Sequence, residues 1–494
     1  MRTSRDPRKR VHARPRCAYE RSPRLQVWYA GSMSIADYQD PARCPSRRPS
    51  LAEMAAPTRA LHEGIDDAIR RRGVPYLHPR DRTVQLDLLG SSAMIAWQEG
   101  KVEFAFMQTG CWSELPQVYA RYGTETTRAL LEWVRETERA PGAILTDCGM
   151  QATALLFDAL IKPGAHAVMM RQVYNKSRKY LEWLCERVGG QLSVVDDGEL
   201  EALRAAIRPE TTLVFAETFT NPLVRAQDPA ALGDVVKAAR AGGSPGIRLA
   251  IDTTIATPWS MRAPLLTTPG VDVVLASGTK ALGGQDRDLW GYVASTDLDL
   301  LNSLMDLQAM RGGILDWRRA EAITEGLAAA EQNFRRRCFN AREVAAFLAR
   351  HPRVERVHHP SLPDHPDRAA IEAHYLRHGS LLSFRVKDAD EAASRRVADA
   401  LATCVVPRYA LSFDGLVTKV NHHPTVSEYF TPAPALRRAG FDRLIRLAVG
   451  VEDGSDIIAC LNWALWHGAA LSDEELRAWQ SARREQLGLA IALA

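Results

Sequence analysis

The sequence predicts an α/β protein in which a mostly parallel, seven-stranded sheet flanked by helices is followed by a smaller C-terminal α+β unit. Two observations predict it. From Ala143 onward, short apolar runs alternate with amphipathic stretches, and beyond residue 317 that rhythm gives way to one long helical pattern and two clear strand candidates. Length agrees, because 494 residues exceed what one small core organises and suggest two or three packed units.

Taken in order, residues 1–50 are rich in Arg, Pro and Ser and are expected to form a flexible basic extension, or to reflect a start at Met33 or Met54. Residues 51–125 carry a short helical pattern around Leu61 to Arg72 and little else. The strand runs then follow one another: AILTD, HAVMM, LSVVD, TLVFAET, IRLAIDTT, VDVVLASGTK and WGYVAST. Between them MQATALLFDALI, Lys176–Val188, LEALRAAI and Pro229–Arg240 read as covering helices. This large unit is expected over 126–330. A helical pattern from Arg318 to Arg350, with Asp316, Glu321 and Glu325 near its start and basic residues at its end, leads out of it. The strand candidates LLSFRV and RLIRLAV and a helix from Gly454 to Trp466 place the second unit at 331–470, with a C-terminal helix or tail at 471–494.

Composition excludes several classes of function. The chain is 46% hydrophobic and 25% charged, as an ordinary globular protein is. Its net charge of +4 is concentrated in the first two dozen residues, so the body lacks the basic face that polyanion binding needs. No nucleic-acid partner is expected. The eight cysteines show no paired CxxC spacing, so neither a zinc site nor a redox dithiol is expected, and free thiols in a cytoplasmic setting fit best. No apolar run is long enough to span a membrane.

Open parallel sheets hold ligands at the carboxyl ends of their strands, so the polar residues there are the candidates. Cys148-Gly149-Met150 follows the first run and opens a helix whose free amides suit a phosphate. Glu217-Thr218-Phe219-Thr220-Asn221-Pro222 follows the fourth, Asp252 ends the fifth, and Ser277-Gly278-Thr279-Lys280 ends the sixth. An amine, a carboxylate and a phosphate cradle are the parts that a pyridoxal 5′-phosphate (PLP) site requires. A lysine there must be partly desolvated to act as nucleophile and base.

As a set, these motifs resemble the Cys/Met-metabolism PLP-dependent enzymes of fold type I, among them cystathionine γ-synthase, cystathionine γ-lyase, methionine γ-lyase and the O-acylhomoserine sulfhydrylases. The resemblance runs from about Tyr119 to Leu465. It rests on Cys148-Gly149-Met150, Tyr174, the ETFTNP segment, Asp252, the SxTK motif ending in Lys280, HPRVERVHHPSLPDHP from His351 and IRLAVGVED from Ile445.

The resemblance implies that Lys280 forms a Schiff base with PLP and moves protons, that Asp252 faces the pyridine nitrogen, and that Tyr174 stacks on the ring. It implies phosphate contacts from Gly149, Met150, Ser277 and Thr279, and from Tyr119 and Arg121 of a neighbouring subunit, hence a homodimer or homotetramer with shared sites. Arg446 would pair with the substrate carboxylate, Asn221 would assist, and Ser412 would lie at the substrate. The implied activity is a lyase or γ-replacement reaction of the trans-sulfuration type on a sulfur-containing or O-acylated amino acid. Other fold type I reactions, transamination or decarboxylation, share the cofactor residues, and a catalytically silent PLP-binding partner protein is a third reading.

The chain departs from the family in several places. The lysine is followed by Ala281 and by Gly283-Gly284-Gln285-Asp286-Arg287-Asp288 where a GGHSD-like stretch is usual. Thr124-Glu125-Thr126 stands at an Asn-Pro-Thr turn, Asn175-Lys176 replaces a glycine pair, and Val417 stands where an acidic residue is usual near the substrate.

Overall fold

The computed structural model describes residues 120–283, 288–404 and 406–486. The arginine-rich start, the Leu61–Arg72 pattern, Tyr119 and the Gly284–Arg287 stretch lie outside the described residues.

Seven strands form the larger sheet: β1 Gly142–Thr146, β2 His166–Met170, β3 Gln191–Val195, β4 Thr211–Glu217, β5 Arg248–Asp252, β6 Val273–Ala276 and β7 Gly291–Ser295. Their order is β1-β7-β6-β5-β4-β2-β3, and every pairing is parallel except the two that β7 makes. All residues of β2, β6 and β7 are buried, which is why these strands read as unbroken apolar runs rather than as alternation.

Helices α1 Glu125–Glu138, α2 Gly149–Leu160, α3 Asn175–Val188, α4 Leu200–Ala206, α5 Pro229–Ala241 and α6 Leu298–Arg311 accompany the sheet. Their starts are written locally. Asp228 caps α5 just ahead of a proline in the first turn, and Asp297 caps α6.

The 34-residue helix α7, Trp317–Arg350, begins where Asp316 accepts from the amides of Arg318 and Arg319. Its first half gives Ala320, Ile323 and Leu327 to the core of the large sheet, and its second half gives Ala341, Val344 and Leu348 to a separate core. Between them Phe334 and Cys338 pack with Ala281, the residue after Lys280. One helix thus serves both cores and passes beneath the lysine turn.

The second core lies on a five-stranded sheet of β8 Val354–His358, β9 Leu381–Val386, β10 Arg408–Tyr409, β11 Lys419–His422 and β12 Leu444–Ala448, in the order β10-β11-β12-β9-β8. The associated helices are α8 Arg368–His374, α9 Glu391–Thr403, α10 His423–Val426, α11 Ala433–Ala439, α12 Gly454–His467 and α13 Asp473–Gln486. Val397 and Leu401 of α9 and Leu461 and Leu465 of α12 meet Phe384 and Leu447 of the sheet. Strands β8, β10 and β11 are additional to the two that the sequence predicts. The first has no fully buried residue and the last is the polar run Lys-Val-Asn-His, so neither shows the apolar signature that marks a strand. Among the described residues no helix is long and apolar enough to cross a membrane.

The two sheets are joined by specific polar contacts as well as by α7. The Arg225 guanidinium binds both oxygens of Asp367 at 2.7 Å, Ser383 donates to the Pro222 carbonyl at 2.8 Å, and the Tyr375 hydroxyl lies 3.1 and 2.9 Å from the carbonyls of Thr218 and Gln227. These contacts surround the Glu217–Pro222 segment and fix it against the second sheet.

Candidate active site

The carboxyl ends of β4 and β5 place two carboxylates side by side, because Glu217 and Asp252 are direct register partners. Glu217 is buried and Asp252 half-buried, and desolvation raises both pKa values, Asp252 to about 6 and Glu217 well above its ordinary value, the latter pushed further by Asp252. Glu217 accepts from the backbone N–H of Tyr174 at 2.5 Å, which pins the start of α3 to the sheet. Asp252 accepts from the Thr254 N–H at 2.8 Å through Oδ1, and the Thr254 hydroxyl in turn accepts from the Ser277 N–H at 2.8 Å. Asp252 keeps some accessible surface, so a polar group could still reach it.

The phosphate-cradle candidates lie at the ends of the neighbouring strands. Helix α2 opens at Gly149 with Cys148 extended at its cap and making no side-chain capping bond, while the Cys148 carbonyl accepts from the amides of Gln151 and Ala152 at 3.2 and 3.4 Å. A Cβ on Gly149 would stand 2.4 Å from the Ser277 Cβ, so only glycine permits this approach. Thr279 is differently engaged. Its hydroxyl lies 3.2 Å from the Trp290 carbonyl and accepts from the Trp290 N–H at 3.0 Å, which holds the lysine turn beside β7. Met150 receives only a long contact, 4.0 Å, from the Ser177 hydroxyl.

Lys280 points toward the second sheet. Its Nζ lies 2.6 Å from the Ser412 hydroxyl and 5.0 Å from the centre of the Phe413 ring. Arg446, in β12 and 4% exposed, donates to the Asn221 side-chain oxygen at 3.3 Å and to the Leu411 carbonyl at 2.8 Å, and its guanidinium carbon lies 5.7 Å from that same ring. Burial lowers its pKa to about 10, which still leaves it charged at neutral pH. Tyr174 exposes 42% of its surface, feels the Arg446 charge, and has its hydroxyl pKa raised by desolvation.

Lys280, Ser412, Arg446, Asn221, Tyr174 and Asp252 are therefore linked by these contacts into one polar region between the sheets. Arg121 stands apart from it: within this chain its Nη1 donates to the Ala309 carbonyl on α6 at 2.7 Å. Sequence reasoning missed Phe413 and the partnering role of Glu217. Only Glu217 carried a signal, as an acidic residue ending an apolar run.

An amine, a buried carboxylate pair at the strand ends, a glycine that admits close backbone approach at a helix N-terminus, and an exposed tyrosine ring are together suited to an aldehyde, a pyridine nitrogen, a phosphate and a flat ring. The residues present fit PLP.

The family profile described as Cys/Met metabolism PLP-dependent enzyme matches residues 103–466. This chain belongs to that family. PLP is the cofactor of its members, and the architecture is theirs as well. The chain is 31% identical over 350 residues to cystathionine gamma-synthase 1, chloroplastic, of Nicotiana tabacum, covering 70% of this chain and 62% of the tobacco protein. It is 30% identical over 386 residues to the L-methionine gamma-lyase of Fusobacterium nucleatum, covering 77% of this chain and 94% of that one. Among solved structures, the cystathione gamma lyase of Micromonospora echinospora superposes with a TM-score of 0.65 at 28% identity, covering 72% of this chain and 89% of the other. The match thus spans less than two thirds of the tobacco relative's length and nearly all of the bacterial one.

Proposed function

We propose that the protein is a lyase or γ-replacement enzyme of the trans-sulfuration type, acting on a sulfur-containing or O-acylated amino acid. The observation that carries the reading is the pairing across one region of an amine, Lys280, with a carboxylate receptor, Arg446 and Asn221. Relatives named for cystathionine and methionine chemistry support the substrate class.

Bound there, PLP supplies a ring that withdraws electrons from the α-carbon of an amino acid. In this reading Asp252, held by Thr254, keeps the ring nitrogen protonated; the buried pair with Glu217 is relieved when a cation meets it. Tyr174 would stack on the ring. Gly149, Met150, Ser277 and Thr279 would hold the phosphate, and Tyr119 and Arg121 would serve a neighbouring copy. Arg446 grips the substrate carboxylate through the donors that Asn221 and Leu411 orient, which brings the α-carbon toward Lys280. The Lys280 amine then removes the proton from Cα and, for a γ-leaving group, shifts a second proton from Cβ.

Assembly as a homodimer or homotetramer belongs to this reading, as does a cytoplasmic setting, supported by the free thiols of Cys148, Cys185, Cys338, Cys404 and Cys460. The test is a screen of amino acids against the PLP-loaded protein, recording visible absorbance and release of 2-oxo acid. Release from O-acylhomoserine, cystathionine or methionine is expected. A protein that stays colourless with added PLP, or that only transfers the amino group to an acceptor, overturns the proposal.

A further inference from the structure

Arg337, in the middle of α7, is fully buried. Burying a guanidinium is costly unless its donors are met, and an apolar side chain of the same size would be tolerated there at least as well. Its partners are informative. Nη2 donates to the Ala281 carbonyl at 3.2 Å, Nη1 donates to the Gly415 carbonyl at 3.0 Å, and the Asp414 carboxylate lies 3.8 Å from Nη1. The first carbonyl belongs to the residue after Lys280. The second belongs to the turn that carries Ser412 and Phe413.

That turn is held in an unfavourable conformation. Asp414 has φ +60, a left-handed backbone that costs energy for most residues, less for aspartate and asparagine than for others, and that its surroundings hold in place. The surroundings here are Ser380, which donates to the Asp414 carboxylate, Lys419, which donates to its carbonyl, and Arg337. The result is a Ser412 hydroxyl 2.6 Å from the Lys280 nitrogen and a Phe413 ring lying within 6 Å of both Lys280 and Arg446.

We propose that Arg337 is a positioning residue that ties the turn after Lys280 to the Ser412–Gly415 turn, so that a hydroxyl and an aromatic face are presented to the lysine nitrogen. A planar fork can hold two carbonyls and face a carboxylate at once; an ammonium, a point charge, cannot reproduce that arrangement. The inference rests on the reading that Lys280 carries the cofactor, and it adds that the charge state of that nitrogen is set from the second sheet through α7.

The test uses the full-length PLP-loaded protein and the variants Arg337→Lys and Asp414→Asn, asparagine being tolerated in the left-handed region. The first readout is the pH midpoint of the visible absorbance without substrate. Withdrawing the hydroxyl and the ring face disfavours the protonated nitrogen, so the midpoint is expected to fall by about half a pH unit. The second readout is the spectral change on adding L-methionine. Its maximum rate is expected to fall on the order of tenfold while the half-saturating concentration changes by less than about threefold, because Arg446 and Asn221 are untouched.

A lower thermal stability with unchanged midpoint and rate would show that Arg337 merely fills the core, and would overturn the proposal. Should Arg337→Lys not fold, Asp414→Asn decides by the same readouts. Lys280→Ala separates the two levels of argument: retention of the visible band there overturns the assignment of the lysine, whereas loss of the band with unaltered behaviour of both other variants overturns only the role of Arg337.

Discussion

The two sides of the site are built differently. On the cofactor side, Asp252 ends β5 between two parallel neighbours, and Ser277 and Gly149 follow strands whose residues are almost all buried. On the substrate side, Arg446 is fixed in β12, but Ser412 and Phe413 hang on a turn with a left-handed aspartate and are flanked by Leu411, Leu416 and Val417, all exposed. Position comes from the sheet in the first case and from buried cations reaching into a loop in the second. A sheet end can change little without losing its ladder, whereas a turn held by side chains can be retuned one residue at a time.

The largest expected effect falls on the lysine that joins the two sides. Lys280→Ala should lower turnover by roughly 10²–10⁴-fold or more and remove the visible band, read by spectrophotometry and 2-oxo acid release. Asp252→Asn should strike the cofactor side alone: kcat is expected to fall about a hundredfold with KM little changed, and an unchanged kcat would break the contrast. Arg446→Lys should do the reverse, raising KM some thirtyfold or more, since a buried charged contact is lost while proton transfer is not.

The smallest effect concerns pH, and its sign differs between the two halves. On the large-sheet side burial raises Glu138 to about 7 and Asp197 and Asp252 to about 6. Stability from such groups is full below their ordinary range near 4 and is lost as pH rises through 6–7. On the small-sheet side burial lowers His358, His378 and His422 to about 4 and His359 and His423 to about 3, from an ordinary value near 6.5. Stability from these histidines is full above 6.5 and is lost as pH falls toward 4–3. Hydrogen exchange at pH 5 against pH 7 should therefore show weakened protection by about tenfold in β9, β11 and β12 and none in β4–β6. Equal losses in both sheets would erase the distinction.

The same contrast governs what the sequence reveals. All seven strands of the large sheet were readable, most plainly β2, β6 and β7, which are buried throughout, and the chemistry at the strand ends was readable because polar residues break those runs. The helix expected from Arg318 begins one residue earlier, at Trp317, behind its Asp316 cap. Of the second sheet, two strands of five were legible. Its strand β11 buries lysine, asparagine and histidine, a pattern that no periodicity announces, and the turn before it takes its shape from Arg337, 77 positions upstream of Asp414. Thr279 shows a subtler limit: the motif marks a hydroxyl beside the lysine, but its contacts with the Trp290 backbone, and the packing of Trp290 against Gly278, could not be read from it.

Helix α7 gives one flank of its length to each sheet's interior and runs unbroken between them. The halves are consequently not interchangeable modules. A crossover that grafted either sheet onto a foreign chain would have to take the helix along, stripping the other sheet of a wall, or leave it behind and open its own.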